Sequence, residues 1–494
     1  MKTTKTNNLN FGTLVGILGI ILLLPMLVLP FFRQEAKYWF AFLLPGLGMI
    51  ACGFLVWLLT KQIKPKPVRA TMATKMGALV VLALWVCSFL IGALPFVLGL
   101  KMSFLHALFE SVSGWTTTGF SVLNVDTVPN IFLFHRSLMQ FFGGLGFVIV
   151  ILSFVKGKQA MLLYSAEGHS DSHIMPNLKR MVRTIFVAYV GLICVDALLL
   201  WACGVPVFDA INLSICTLAT GGFALKSTSL LTYGVWAQGV TCLFMLVGMT
   251  PFAALLLLAK GKFAKFFGLS EIRLMGVLLI GGALCCGLVL LQSMTASVAF
   301  GSSVFGVMSA MSTTGFVVQK VQDLPYFLQG VMLVAMLIGG CVGSTAGGLK
   351  LNRFYLLLRI GLISIKKKLV PARRVESLHY TRVQGEQDID ESVVMDTTGF
   401  VILYFLVFAV GAMILVATSQ RGVFEGIFEF ASALSGAGFS VGIAGPTAST
   451  GTLWVLMMGM FLGRLEIYIV LIGAITFLGL CKSGTYKVAK AVVQ

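Results

Sequence analysis

Charge is scarce in this chain. Only 11% of its 494 residues are Asp, Glu, Lys or Arg, less than half of the roughly 25% usual in soluble domains. Acidic groups are the scarcest, 18 against 36 basic ones, which leaves a formal net charge of +18. A soluble domain of this length is excluded. Catalytic patterns are also missing: there is no His-Glu-x-x-His, no pair of Asp residues within the apolar runs, and no converging catalytic set, so a membrane-embedded enzyme is not expected. The ten cysteines include no Cys-x-x-Cys pair and no zinc-site spacing. Most lie in apolar runs, where the thiol acts as a small hydrophobe, and no structural disulfide is expected. No strand-like alternation supports a β-barrel. No small-residue cleavage site closes the first apolar stretch, so residues 11–32 are expected to stay as a span.

What is present in abundance is long apolar sequence. Hydrophobic residues make up 58% of the chain, in runs that reach the roughly 20 residues a membrane helix needs. The basic residues cluster between alternate runs. Lys61, Lys64, Lys66, Arg69 and Lys75 fill one connection; Lys156, Lys158, Lys179, Arg180 and Arg183 flank a second; Lys260, Lys262, Lys265 and Arg273 flank a third. Lys366, Lys367, Lys368, Arg373, Arg374 and Arg382 fill a fourth, and Lys482, Lys487 and Lys490 lie in the tail. The intervening connections hold almost none. This is the positive-inside pattern; it places both termini and all five basic segments in the cytoplasm and accounts for the net charge without nucleic acid as a partner.

Hydropathy and helix breakers predict two leading spans, 11–32 and 38–60, followed by four units. The first unit comprises 75–98, 103–115 and 131–155, and the second 181–204, 207–218 and 235–259. The third comprises 271–292, 298–311 and an interrupted 326–366, and the fourth 394–418, 423–434 and 452–480. In domain terms these are 1–70 for the two spans, then repeats at 71–160, 161–265, 266–392 (broken last helix and cytoplasmic loop) and 393–494. The middle segment of each unit is too short to span and ends in a small-residue loop closed by Gly-Phe. The four copies are Thr116–Phe120, Ala219–Phe223, Ser312–Phe316 and Ser435–Phe439. Aligned on that Phe, His106, Asp209, Ser302 and Glu425 share a register, as do the small residues Ala107, Ala210, Ser303 and Gly426, and Glu110 coincides with Glu429.

Each short segment must dip into the membrane and return. Non-helical backbone at membrane depth is tolerated only where protein buries it or where it lines a water-filled cavity. Four such loops satisfy one another by converging on one axis, so the predicted fold is an all-α polytopic membrane protein: two N-terminal spans plus four helix–pore-loop–helix repeats around a pseudo-fourfold pore. A cation leaving water needs its hydration oxygens replaced, and extended backbone supplies carbonyls for that. Glycine permits the required conformation, and Thr and Ser add hydroxyls. The candidate filter is Thr117, Thr118 and Gly119; Thr220, Gly221 and Gly222; Thr313, Thr314 and Gly315; and Gly436, Ala437 and Gly438. Phe120, Phe223, Phe316 and Phe439 are expected to wedge behind the loops. The C-terminal ends of the short helices, each carrying about half a negative charge, favour cations. Glu110, Asp126, Asp209, Asp323, Glu425 and Glu429 either concentrate cations at the outer face or serve as ordinary capping groups.

Two further features bear on control of the passage. Gly339, Gly340, Gly343, Ser344, Thr345, Gly347, Gly348 and Lys350 belong to a stretch that interrupts the third repeat's last helix. Glycine costs a helix interior about 1 kcal/mol each, and the stretch lacks the Gly-x-x-x-x-Gly-Lys-Ser/Thr phosphate pattern. A gate under the filter is one reading and a packing kink the other. Arg464 lies in the last predicted helix, at depth where Arg costs at least about 2.5–3.5 kcal/mol. It either faces the pore or bonds oxygens of a neighbouring segment; Glu466, two residues on, does not share its helix face. Asp196 is expected to make a local hydrogen bond. His169 and His173 sit in a polar loop with no further ligand, Gly143-Gly144-Leu145-Gly146 reads as tight helix packing, and 376–391 reads as solvated surface.

These loops, with the stretch His135–Gly146, the Gly339–Lys350 segment and Gly463-Arg464-Leu465-Glu466, resemble the Trk/Ktr/HKT superfamily of potassium transporters over essentially the whole chain. The two extra N-terminal spans and the length make it most similar to the TrkH type. The resemblance implies potassium uptake across the bacterial inner membrane, a homodimer with one pore per subunit, and cytoplasmic nucleotide-binding partners of the TrkA type. It implies that K+ is a substrate bound only at the filter residues and that no cofactor is bound covalently. It also implies that glycine at 119, 222, 315 and 438 favours potassium and that 339–350 and Arg464 form the gate. Ala219, in place of a hydroxyl residue, and the fourth loop, which lacks hydroxyls at its second and third positions, depart from the family pattern. A sodium-permeable or H+/Na+-coupled symporter of the same fold is the alternative.

Overall fold

The computed structural model describes residues 11–61, 70–145, 178–369, 379–383 and 385–482. Lys64, Lys66, Arg69, Lys156, Lys158, His169, His173, Arg373, Arg374, Lys487 and Lys490, the 146–155 part of the first repeat's second helix and both termini lie outside them. The described chain divides into two compact units, one holding residues 11–116, 121–192 and 465–482, the other 117–120 and 193–464. Among the described residues, six helices are long and apolar enough to cross a membrane.

In the first unit, α1 (Phe11–Leu23) packs on α2 (Trp39–Lys61) through glycines. A side chain at Gly12 or Gly53 would strike the other helix's backbone, which is the small-residue packing that brings membrane helices close. The first repeat follows as α3 (Ala70–Leu100), the half-helix α4 (Phe104–Trp115) and α5 (Asn130–Gly144). The Glu35 carboxylate accepts the N–H groups of Asn130 and Ile131 at 2.8 and 2.9 Å, so an anion caps the start of α5. Gly143 sits against the Trp115 carbonyl oxygen, the tight packing expected of that glycine run. The unit also holds the first part of α6 (Leu178–Ala202).

The second unit takes the rest of α6, then the half-helix α7 (Val207–Leu218), α8 (Val235–Gly248), α9 (Phe252–Ala259) and α10 (Phe263–Gly268). The third repeat is α11 (Ser270–Leu290), the half-helix α12 (Ala296–Met311), α13 (Tyr326–Ile338) and α14 (Leu351–Leu369). A hairpin of β1 (His379–Arg382) and β2 (Gly385–Asp388) precedes α15 (Glu391–Ser419), the half-helix α16 (Val423–Ser435) and α17 (Thr450–Arg464). The last helix, α18 (Ile467–Lys482), belongs to the first unit.

The structure corrects the sequence reading of two helices. Residues 235–259 are not one helix: α8 and α9 meet at 109°, where Pro251 supplies no N–H and disfavours helix at Thr250 before it. Residues 452–480 also break, after Arg464, where Glu466 takes φ +56; Arg464 therefore ends a helix rather than sitting within one. The 376–391 surface contains the antiparallel β1–β2 pair. Asp196 is fully buried, with Ser214 the neighbouring side chain that acts on its carboxylate.

Glu110 and Glu429 are not surface cation traps, because both are fully buried. Glu110 pairs with Arg136 Nε at 2.7 Å and accepts from Ser121 Oγ and the Val122 N–H. Glu429 accepts from Ser440 Oγ, Val441 N–H and Ala444 N–H at 2.6–2.7 Å. In both repeats the Glu grips the backbone just past the Gly-Phe pair. Removing one member of a buried ion pair costs about 3–5 kcal/mol. Glu110→Ala and Arg136→Ala are therefore each expected to lower the melting temperature of the detergent-solubilised protein sharply. Glu110→Gln combined with Arg136→Met should recover much of the loss, as read by thermal unfolding.

Candidate functional site

Residues 117–120 of the first Gly-Phe loop and the other three loops lie in the second unit. The half-helices α7, α12 and α16 close in the same way. In α7, Thr220 N–H bonds Thr217 O and Gly221 N–H bonds Cys216 O; Thr313 and Thr314 do so with Ala310 and Ser309, and Gly436 and Ala437 with Ala433 and Ser432. This is the Schellman closure, whose turning residue is left-handed and usually glycine. The turning residues here are Thr117 (φ +54), Thr220 (φ +48), Thr313 (φ +54) and Gly436 (φ +71). Three are β-branched, for which this region is strained, at about 1–3 kcal/mol each. Such strain persists only where the surroundings over-determine the conformation.

Those surroundings are the other loops. Two residues past each turn stands a glycine of positive φ: Gly119 (+96), Gly222 (+68), Gly315 (+83) and Gly438 (+76). A Cβ on Gly119 would fall on the carbonyl oxygen of Gly221; on Gly222, that of Thr314; on Gly315, that of Ala437; and on Gly438, that of Thr118. The sequence of contacts runs through repeats one, two, three and four and returns to one. The candidate filter residues thus form a closed ring in which each loop offers one main-chain oxygen beside the preceding loop's glycine. The four Phe residues are each 0–2% exposed. Several threonine hydroxyls are engaged within the protein: Thr220 bonds Ala219 O, Thr314 pairs with Ser312 Oγ at 2.7 Å, and Thr313 Oγ1 accepts the Gly347 N–H at 2.7 Å. The ring's common chemical content is therefore backbone.

The Gly339–Lys350 segment is a loop between α13 and α14, with Gly339, Gly343, Gly348 and Lys350 all at positive φ. It is tied to the C-terminal ends of the half-helices α7 and α16 and of α8. Thr345 Oγ1 lies 2.8 Å from Leu218 O and 2.9 Å from Gly248 O, and Gly348 N–H donates to Ser435 O at 3.0 Å. Leu218 and Ser435 end α7 and α16, so the loop donates to C-terminal carbonyls that no helix satisfies. Gly340 and Gly347 fit against Ala346 with Met249 and against Ser435. Ser344 Oγ bonds Cys341 O, and Lys350 Nζ bonds Ala346 O. Arg464 Nη1 donates to Thr345 O at 3.1 Å, which is the neighbouring-oxygen alternative for this residue. The structure thus brings Arg464 and the Gly-rich loop together. Sequence reasoning missed the acceptors on this surface, Leu218, Gly248 and Ser435, because carbonyls carry no side-chain signature. Gly438-Phe439-Ser440-Val441-Gly442 spells a nucleophile-elbow pattern, but it follows no strand and Ser440 is bound to Glu429; the match is one of letters.

Paired half-helices, re-entrant loops closed into a backbone ring and a glycine-rich strap beneath them define a pore-loop membrane protein. The comparisons give its family. Residues 41–300 and 266–479 match the TrkH family, cation transport protein, and the chain belongs to that family. It is 30% identical over 478 residues to the Trk system potassium uptake protein TrkH of Vibrio parahaemolyticus, covering 93% of this chain and 96% of the relative. It is also 30% identical over 469 residues to an uncharacterized cation transporter of Methanocaldococcus jannaschii, covering 93% of each. The crystal structure of the potassium transporter TrkH from Vibrio parahaemolyticus superposes with a TM-score of 0.80 at 28% identity, covering 93% of this chain and 96% of that one.

The ring predicts a graded response to methyl groups. Gly315→Ala and Gly438→Ala place a Cβ on a neighbouring carbonyl at positive φ, and strain alone is expected to cost about 1–3 kcal/mol. Gly281→Ala, in α11 with open space around it, should leave stability unchanged or slightly raised. Thermal unfolding of the three variants side by side checks this.

Proposed function

We propose that this chain takes up potassium across the bacterial inner membrane through a gated, filter-lined pore, as the membrane subunit of a Trk-type system. The observation that carries the reading is the closed ring of Gly119, Gly222, Gly315 and Gly438 with the carbonyls of Thr118, Gly221, Thr314 and Ala437. Four main-chain oxygens at equivalent positions suit an alkali cation that has shed water, since carbonyl dipoles replace its hydration shell. The half-helix C-termini add negative potential toward the same place. Potassium is the substrate at these residues, and relatives that carry potassium uptake in their names support that choice.

The Gly339–Lys350 loop with Arg464 is the gate in this reading. Its donors occupy the half-helix carbonyls that would otherwise face the permeating ion, and the Arg464 guanidinium holds the loop by Thr345 O. Opening requires those hydrogen bonds to be released together. Assembly as a homodimer with cytoplasmic nucleotide-binding subunits, and cytoplasmic termini, complete the proposal; the system named for the relatives and the positive-inside pattern support them.

Proteoliposomes containing the purified protein should pass potassium in preference to sodium, as read by reversal potentials in opposed gradients. Gly119→Ser and Gly315→Ser should each lower that preference or abolish flux, and unaltered selectivity in both would remove the filter from this reading. Arg464→Ala should raise basal conductance several-fold, in line with coupling free energies of about 1–3 kcal/mol. Unchanged conductance in a normally folded Arg464→Ala protein rejects its role in the gate.

A further inference from the structure

The first two residues of α11 join two elements that the sequence keeps far apart. Glu271 accepts the Val342 N–H at 3.2 Å, and so holds the Gly-rich loop near its start. Cys341, fully buried beside it, donates its thiol to the same carboxylate and lies 4.0 Å from Met275 Sδ. On the other side, Ser270 Oγ accepts the Thr381 N–H of β1 at 3.1 Å. Two cations act on the Glu271 carboxylate: Arg382, which ends β1, and Lys350, which closes the loop. Arg382 is itself held over the Tyr380 ring at 5.0 Å, and Tyr380 Oη donates to Gln387 of β2 at 2.9 Å. The hairpin therefore has a defined seat on Ser270 and Glu271, and Glu271 also grips the loop.

We propose that Glu271 is a positioning residue for the gate, linking the hairpin 379–388 to the loop 339–350, so that displacement of the hairpin releases Val342 and favours the open loop. This rests on the gate reading above. A carboxylate in the first turn of a helix also stabilises that helix, and a purely capping role makes a different prediction: stability falls while gating does not change. Linkage requires that the hairpin and the loop bias one two-state element together, which a double-mutant cycle measures.

The test uses the full chain in potassium-loaded liposomes, with flux normalised to folded protein and a parallel thermal melt. The variants are Glu271→Ala, Glu271→Gln, Arg382→Ala and the Glu271→Ala/Arg382→Ala pair. Glu271→Ala is expected to raise basal potassium flux about fivefold or more with the potassium-to-sodium ratio unchanged. Arg382→Ala should raise it less, and the pair should match Glu271→Ala alone. Glu271→Gln keeps an acceptor for Val342 and should fall between wild type and Glu271→Ala, which preserves the test if the alanine variant misfolds. A lowered melting temperature with wild-type flux, or independent effects of the two substitutions, overturns the linkage. Potassium-impermeable wild-type liposomes would instead remove the pore reading, and this inference with it; wild-type flux with unresponsive Glu271 variants would leave the pore reading standing.

Discussion

Each glycine of the ring has the next loop's carbonyl oxygen where its own side chain would begin, and the rest of the chain is arranged around that crowding. Glycine is the residue whose Cα lets another backbone come this close. The approach fixes where the half-helices end, because their turning residues must aim the loops at one another. It also explains how Thr117, Thr220 and Thr313 remain left-handed: contacts on every side hold them there. The buried carboxylates of Glu110 and Glu429 serve the same geometry from behind by gripping the chain as it leaves the ring.

The strap beneath the ring draws on the same shortage of hydrogen-bond partners. A half-helix that stops at membrane depth leaves carbonyls unpaired, and unpaired carbonyls are costly there. Thr345 and Gly348 meet this need from the Gly-rich loop. In the proposed gate these bonds stabilise the resting state, and the conducting state must exchange them for water or ion. Arg464 and Glu271 hold two points of that loop from different elements.

The fold was legible because its signals are ones a linear sequence carries: run length, the placement of lysine and arginine, and four repeats ending in Gly-Phe. The interruption in the third repeat showed through its glycines. The break after Gly248 had one marker, Pro251, and the break after Arg464 had none, since Glu466 reaches positive φ without being glycine. The four loops that meet in the ring were visible as residues, but the threonine hydroxyls read as spare ligands are partly committed to Ser312, Ala219 and Gly347. Glu110 and Glu429 shared a register that was visible, while their burial was not, because a glutamate in a short amphipathic helix looks the same whether it faces water or an arginine. The hairpin's seat on Ser270 depends on a contact across more than a hundred positions of chain, which no local pattern encodes.

The ring is encoded by four separate stretches of one polypeptide, and they differ in sequence. Its fourth quadrant has Gly436, Ala437 and Gly438 where the others carry threonine or a glycine pair. In an assembly of identical subunits one codon change alters every quadrant at once. Here heredity can edit a single quadrant while three retain their shape, so the aperture is free to become lopsided by small steps. A chain of this construction can explore ion preference one corner at a time.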